Sequence, residues 1–239
     1  MAAADLPRDA LHQVSDVAGL AEAIADGCGR LGIGVPTESL PQLAAYATSL
    51  WSWNERLNLT RHTDVDRFVS RDVGDAAAIV PHLARGERVL DVGTGGGVPG
   101  VLLAILRPDL RVELCDSVGK RARAVAGIVA EIGLDLPVHA IAAQTLVAER
   151  GGTAGDASRF DTLVVRAVAP LTKLLRWFEP LRDHYGRMLV VKGPSWQAEL
   201  EAAAAVGLGR HVTVRRIGSW PIRGGDNESV LLEVRARAT

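Results

Sequence analysis

The sequence predicts an α/β fold: a seven-stranded, mainly parallel sheet that ends in an antiparallel hairpin and is preceded by helices. Three observations predict it. Residues 40–57 place apolar side chains at helical spacing. From Arg88 onward, short apolar runs alternate with stretches long enough for helices, the mark of βαβ units. The last two apolar runs are joined by residues 218–227, a connection too short and polar for a helix, so those strands pair antiparallel.

Taken in order, the first 85 residues read as a helical segment packed on the core that follows. Leu40, Leu43, Ala44, Ala47, Leu50, Trp51, Asn54 and Leu57 follow a three-four pattern with one polar exception, giving that helix an apolar face. Pro36 and Thr37 form its start signal. A further helix is expected over residues 65–80, stopping at Pro81. Residues 86–239 then form the sheet domain, with strands at 88–92, 111–115, 137–141, 162–165, 188–191, 212–216 and 230–234. Residues 151–158 read as a small, polar loop.

Composition narrows the class. With 48% hydrophobic and 23% charged residues the chain is an ordinary globular protein, which excludes a disordered one. Two cysteines, Cys28 and Cys115, are too few for a disulfide scaffold, and they read as inert apolar packing. No cationic, apolar segment opens the chain and no run of about 18 apolar residues spans a membrane, so a cytoplasmic protein is expected. No spacing of cysteines and histidines fits zinc, and no metal is expected. His12, His62, His82, His139, His184 and His211 are scattered and read as surface or loop residues. Charge is uneven: residues 1–40 hold two arginines against six acids, which leaves 25 basic against 22 acidic residues beyond them. That asymmetry is a weak pointer to a polyanionic partner, and solvated helix faces explain it as well.

The chemistry starts at Val89-Leu-Asp-Val-Gly-Thr-Gly-Gly-Gly-Val-Pro-Gly100. An apolar strand ends in Asp91, and five glycines follow within eight positions, with Pro99 suited to a first helical turn. Glycines allow positive φ and close approach of backbone to a ligand, and the helix start offers free amides. Gly95, Gly97 and Gly100 satisfy the dinucleotide spacing, whereas the G-x-G-x-G of Gly93, Gly95 and Gly97 resembles motif I of S-adenosylmethionine-dependent methyltransferases. Asp91 ahead of the glycines, and the position of the loop some 90 residues into the chain, favour the second. Asp116, at the end of the next strand, suits a ribose diol and does not choose between the two cofactors.

In this order the motifs resemble the RsmG (GidB) family of methyltransferases acting on guanine N7 in small-subunit (16S) ribosomal RNA. Trp53-Asn54 with Asn58-Leu59-Thr60 is similar to the family's W-N…N-L-T segment. Asp91 to Gly100 is similar to its D-V-G-[ST]-G-x-G-x-P-G loop. Arg107-Pro108, the Asp116-Ser-Val-Gly-Lys-Arg121 run, Phe160-Asp161, the Arg166-Ala-Val-Ala-Pro-Leu171 run and Lys192-Gly193 follow in the family's order. The resemblance implies a Rossmann-like fold, S-adenosylmethionine as cofactor, and ribosomal RNA or the small ribosomal subunit as partner. It further implies that the cofactor touches Gly93, Val98, Ala143, Gln144 and Arg166. Two departures stand out. The family's R-H-x-x-[DN] run reads Arg71-Asp72-Val73-Gly74-Asp75 here, and its C-terminal R-H dipeptide is replaced by Glu228-Ser229. Both are expected to remove cations or donors from surfaces that could face RNA.

Guanine N7 carries an in-plane lone pair and loses no proton on methylation, so positioning and electrostatics suffice and no general base is required. Arg166, at the carboxyl end of a strand, is the residue singled out to touch the cofactor or a guanine edge. Arg71, Lys120, Arg121 and Lys192 are candidate substrate contacts, each also readable as a solvated surface charge. Trp51 and Trp53 read as core packing rather than stacking platforms. The competing functions are a related methyltransferase with another acceptor, and a nicotinamide-dependent oxidoreductase using the same glycine loop.

Overall fold

A computed structural model describes residues 8–151, 158–221 and 227–237, with side chains from residue 17 onward. Most of the loop expected over residues 151–158, the tip of the expected 218–227 connection and the side chain of His12 lie outside the described residues.

Strands β1 (Arg88–Val92), β2 (Arg111–Cys115), β3 (Val138–His139), β4 (Phe160–Arg166), β5 (Tyr185–Lys192), β6 (Val212–Pro221) and β7 (Glu228–Ala236) form one sheet in the order β3-β2-β1-β4-β5-β7-β6. The first five are parallel, while β7 runs antiparallel to both β5 and β6. This is the Rossmann-like arrangement with a terminal hairpin. Strand order reverses between β1 and β4, which opens a crevice at the carboxyl ends of those strands.

Two strand expectations need correction. β3 is only two residues long, because it pairs with β2 alone at the sheet edge, through Leu114↔Val138 and Cys115↔His139. β6 runs to Pro221 instead of ending at 216: a register shift between Arg216 and Gly218 absorbs the irregularity and lets pairing with β7 continue.

Helices cover both faces: α1 (Arg8–Leu31), α2 (Leu40–Leu57), α3 (Val65–Arg67), α4 (Gly74–Ile79), α5 (Gly100–Leu106), α6 (Gly119–Glu131), α7 (Ala143–Arg150), α8 (Leu171–Phe178) and α9 (Trp196–Ala205). The sheet interior alternates accordingly. Val89, Val112, Leu114, Val164 and Leu189 share a buried cluster with Ile24, Leu43, Tyr46, Phe68, Val101 and Val125. Leu90, Val92, Leu163, Val165, Met188 and Val190 point the other way, against Leu146, Leu171, Leu174, Phe178 and Ala203. Successive strand side chains face opposite sides, so a parallel sheet covered on both faces needs apolar residues at nearly every position. Each large side chain buried in this way contributes about 1.5–3 kcal/mol.

Two helical expectations also change. A 3-10 turn, Thr37–Ser39, follows Pro36 before α2 begins at Leu40. The helix expected over residues 65–80 is segmented into α3, a π-helical stretch Phe68–Val73, α4 and a 3-10 turn Val80–His82. Pro81 has no N–H to donate along an α-helix, so the chain tightens into the 3-10 turn instead of stopping. In the π-helical stretch the N–H of Gly74 reaches back to the carbonyl of Val69. Asp72 and Asp75, on either side of that junction, both end up buried and turned toward β4.

Arg107-Pro108 has a structural role at the far end of the sheet. The Arg107 guanidinium pairs with Asp109 and donates to the carbonyls of Val80, Leu83 and Ala84, tying α5 to the 3-10 turn.

Candidate active site

The glycine loop is shaped from behind. Asp91 is fully buried, and its Oδ2 accepts from Thr94 Oγ1 at 2.6 Å and from the Gly100 amide at 2.9 Å. The carboxylate thus closes the loop on the start of α5. Gly93 (φ +66°), Gly95 (φ +59°) and Gly97 (φ +107°) all adopt backbone that L side chains rarely occupy. Gly96 is held from the N-terminal side: Tyr46 Oη, on α2, donates to its carbonyl at 2.9 Å. A Cβ at Gly96 would lie 2.8 Å from Leu50 Cδ1, so α2 packs directly beneath the loop.

Burial raises the Asp91 carboxyl from 3.8 to about 6, against the lowering effect of its two hydrogen bonds. The folded carboxyl therefore keeps its proton between those values while the unfolded one ionises. Stability falls as pH rises through this window and is constant with respect to this group above it. The shift is worth about 3 kcal/mol. Asp91→Asn keeps an accepting oxygen and removes the titration. Denaturation of both proteins from pH 4 to 7.5 is expected to show the variant gaining on the wild type as pH rises; parallel curves would refute the assignment.

The second wall is the segment after α2. Asn58 ends that helix in the left-handed conformation (φ 48°), Asn54 Oδ1 accepts the Thr60 amide at 2.8 Å, and Thr60 Oγ1 accepts the His62 amide at 3.0 Å. Trp51 Nε1 donates to the carbonyl of His62 at 2.8 Å. The W-N…N-L-T residues are thus turn builders that bring Arg61 and His62 to the crevice. Trp51 also packs edge-on against Phe68, and Trp53 donates to Glu131, so both serve packing as expected.

The centre is Arg166, at the end of β4. Its Nε lies 2.6 Å from Asp75 Oδ2 and its Nη1 lies 2.8 Å from Asp72 Oδ1. Both aspartates are 1% exposed. Asp75 Oδ1 also accepts Trp220 Nε1 at 2.8 Å, and Asp72 Oδ1 lies 2.8 Å from His62 Nδ1. Burial alone would lower the Arg166 pKa, but the two carboxylates outweigh it and hold the value above the ordinary one. Burial raises Asp75, opposed by Arg166 and the Trp220 hydrogen bond. Arg166 is followed by Ala167 at φ +53°, a strained turn that swings Val168 against Gly93.

These walls enclose a cavity of about 600 Å³, within the range of small-molecule sites. Of the residues singled out in the sequence, Arg71, Gly93, Gly95, Val98, Arg121, Arg166 and Lys192 line it. Others stand around it. Asp116, at the end of β2, accepts the Gly95 amide at 3.1 Å and the Val118 amide at 2.8 Å, so it braces the loop and the start of α6. Ala143 and Gln144 open α7, beyond β2 on the same sheet edge, and Lys120 is exposed on α6. Gly97 faces back toward Val101 and Tyr46.

Several expectations are corrected. Asp72 does not stand on a surface that could face RNA; it is a buried carboxylate shared by His62 and Arg166. Lys192 is not a free cation, since its Nζ lies 2.6 Å from Glu199 Oε2 and donates to the Ala169 carbonyl at 3.1 Å. Of the pair 228–229, Glu228 is ion-paired with Arg216 and Ser229 is buried on the cavity wall. His62 and His139 are engaged histidines, the latter 2.7 Å from Glu113 on β2. Tyr46 and Trp220 escaped notice: Tyr46 sits at the edge of the apolar stripe of α2 with nothing local to signal a partner in the glycine loop, and nothing local to Trp220 signals a partner on α4. Cys28 and Cys115 are buried, and burial pushes their thiols up to about 11 and about 12, which keeps them inert.

Comparison with known proteins decides the family. Residues 39–218 match the model of GidB, described as rRNA small subunit methyltransferase G. The chain belongs to this family. The ribosomal RNA small subunit methyltransferase G of Rhodopirellula baltica is 42% identical over 180 residues, covering 75% of this chain and 74% of that one. The protein of the same description from Pseudomonas aeruginosa strain PAO1 is 37% identical over 182 residues, with coverage of 76% and 82%. A solved structure of MtNAS in complex with MTA and tNA matches at a TM-score of 0.52 and 18% identity, covering 83% of this chain and 72% of that one. At that identity the likeness is one of fold.

The residues present fit a nucleoside cofactor. Gly95 opens onto the cavity, with no atom nearer than 4.0 Å to an added Cβ, which leaves the close approach that the positive-φ loop provides. Among the described residues no group of three or more His, Cys, Asp or Glu side chains could hold a metal ion, and no helix is long and apolar enough to cross a membrane.

Proposed function

We propose that this chain transfers the methyl group of S-adenosylmethionine to N7 of a guanine in small-subunit (16S) ribosomal RNA, at the cavity between the glycine loop and Arg166. The observation that carries the proposal is the clamped Arg166: a buried, permanently charged guanidinium held by Asp72 and Asp75 beside the glycine loop, in a member of the methyltransferase G family. When bound, S-adenosylmethionine supplies an electrophilic sulfonium methyl. Gly93, Gly95 and Val98 would line its site, with Asp116 toward the ribose and Ala143 and Gln144 toward the adenine. Guanine N7 attacks with its own lone pair, so the side chains orient and exclude water and need not take a proton. Arg166 has little freedom to move, because two carboxylates fix both ends of its guanidinium. It is therefore suited to a fixed hydrogen bond with the cofactor or with O6 of the base.

The test is transfer from labelled S-adenosylmethionine to small ribosomal subunits lacking N7-methylguanine, followed by chemical cleavage at N7-methylguanine. Label in the RNA with cleavage at one position is the expected result. Cofactor binding with no label would move the acceptor elsewhere, and binding of NAD(H) alone would overturn the reaction class.

Among the described residues Arg71 and Arg121 line the cavity with no ion pair as close as that of Lys192, so they are the candidates for phosphate contact. Arg71→Ala and Arg121→Ala are each expected to reduce the slope of log affinity against log salt by about 1. Lys192→Met, whose charge Glu199 already neutralises, is expected to leave that slope unchanged. Equal slopes for all three variants would refute the distinction.

A further inference from the structure

His62 lines the cavity and takes no part in the methyl transfer described so far. The backbone of His62 is fixed on both sides, by Thr60 Oγ1 at its amide and by Trp51 Nε1 at its carbonyl. Its ring is fixed too, with Nδ1 2.8 Å from Asp72 Oδ1. That oxygen also receives Arg166 Nη1 at 2.8 Å. A carboxylate paired with a guanidinium can only accept, so His62 Nδ1 carries the hydrogen and donates it. With that hydrogen on Nδ1, the ring presents a lone pair at Nε2. The side chain is 24% exposed, it lines the cavity, and Nε2 has no partner among the described residues.

The remaining charged groups of the cavity cannot play this part. Arg61, Arg71, Arg121, Arg166 and Lys192 carry donors and no lone pair. Asp75 is taken up by Arg166 and Trp220, and the second oxygen of Asp72 is fully buried. His62 Nε2 is thus an oriented acceptor in a wall otherwise rich in donors.

We propose that His62 is a base-selecting residue, whose Nε2 accepts a hydrogen bond from the N1–H and 2-amino edge of the target guanine. Guanine offers donors there, whereas adenine has an acceptor at N1 and no amino group at C2. That edge lies across the purine from N7, so a base whose N7 meets the glycine-loop wall presents it to a different wall. The selection is by lost hydrogen bonding: adenine would leave Nε2 facing another lone pair. This proposal rests on the guanine-N7 reading of the same cavity.

His62→Asn and His62→Gln separate selection from support. Asparagine retains an N–H near Nδ1 for Asp72 and loses the Nε2 position, while glutamine places an amide oxygen near it. We expect His62→Asn to lower kcat/KM on unmethylated small subunits by about tenfold to a hundredfold. It should also narrow the preference for guanine over adenine at the target position and leave the Kd for S-adenosylmethionine, by calorimetry, within twofold. His62→Gln should recover part of kcat/KM. Wild-type kcat/KM in His62→Asn would overturn the proposal. So would a loss of cofactor affinity matching the loss of activity, which would make His62 a support for Asp72 and Arg166 alone. Should the wild-type protein itself give no cleavage at N7-methylguanine, the underlying reading fails and the selection falls with it. Cleavage in the wild type with no change in His62→Asn overturns the selection alone.

Discussion

Arg166→Met is expected to abolish methyl transfer and to destabilise the protein by about 3–5 kcal/mol, the range for removing one partner of a buried ion pair. The physical cause is what is left behind. Asp72 and Asp75, each 1% exposed, lose contacts of 2.8 Å and 2.6 Å and remain as two buried carboxylates without the guanidinium that touches both. Arg166→Lys restores the charge, but a single ammonium cannot span both carboxylates as the planar guanidinium does, so stability should return further than activity. Combining Arg166→Met with Asp72→Asn and Asp75→Asn separates the two roles. Neutralising the carboxylates should restore most of the stability by chemical denaturation, while methyl transfer to small subunits stays absent. A triple variant that regains activity would show that Arg166 only balances charge, and the proposed contact with cofactor or base would be wrong.

A contrast inside the glycine loop comes next in size. Gly97 has φ +107°, and a Cβ there would lie 2.7 Å from Val101 Cγ2 and 3.1 Å from Tyr46 Oη. Backbone strain and overpacking add at this position, so Gly97→Ala is expected to cost about 3 kcal/mol or more. Gly95 has φ +59°, but its Cβ would project toward the open cavity. Gly95→Ala should therefore cost only about 1–2 kcal/mol of backbone strain. Its methyl would instead occupy the space proposed for S-adenosylmethionine and weaken that binding tenfold or more. Circular dichroism melting and calorimetric titration read the two effects separately. A Gly95→Ala protein that folds and binds the cofactor as tightly as wild type would displace the cofactor from this part of the loop.

Both predictions involve residues named from the sequence, yet they differ in how much the sequence could say about them. By itself the sequence determined the strand that ends at Val92, the glycines with positive φ and the alternation of strands and helices. It also determined the apolar face of α2 and the antiparallel close of the sheet. Each of these is encoded within a few residues, by side-chain period or by the backbone conformations that only glycine adopts readily. Arg166 was legible as a cation at a strand end on the ligand-binding edge.

What surrounds Arg166 was not. Asp75 lies 91 residues earlier in the chain, and Trp220 lies 145 residues beyond Asp75. The sequence offers Asp72 as a surface substitution and His62 as one scattered histidine, and no local pattern joins them. Their meeting depends on a π-helical stretch in one element and on the seating of that element against β4. Lys192 shows the converse: its position at a strand end suggested a free cation, and only the placement of α9 supplies Glu199 to neutralise it. The tertiary structure decided these matters because the partner of a buried charge is whichever opposite charge the packing of distant elements brings within about 3 Å, where desolvation makes pairing obligatory. That proximity is a property of the assembled core and is written in no single stretch of the chain.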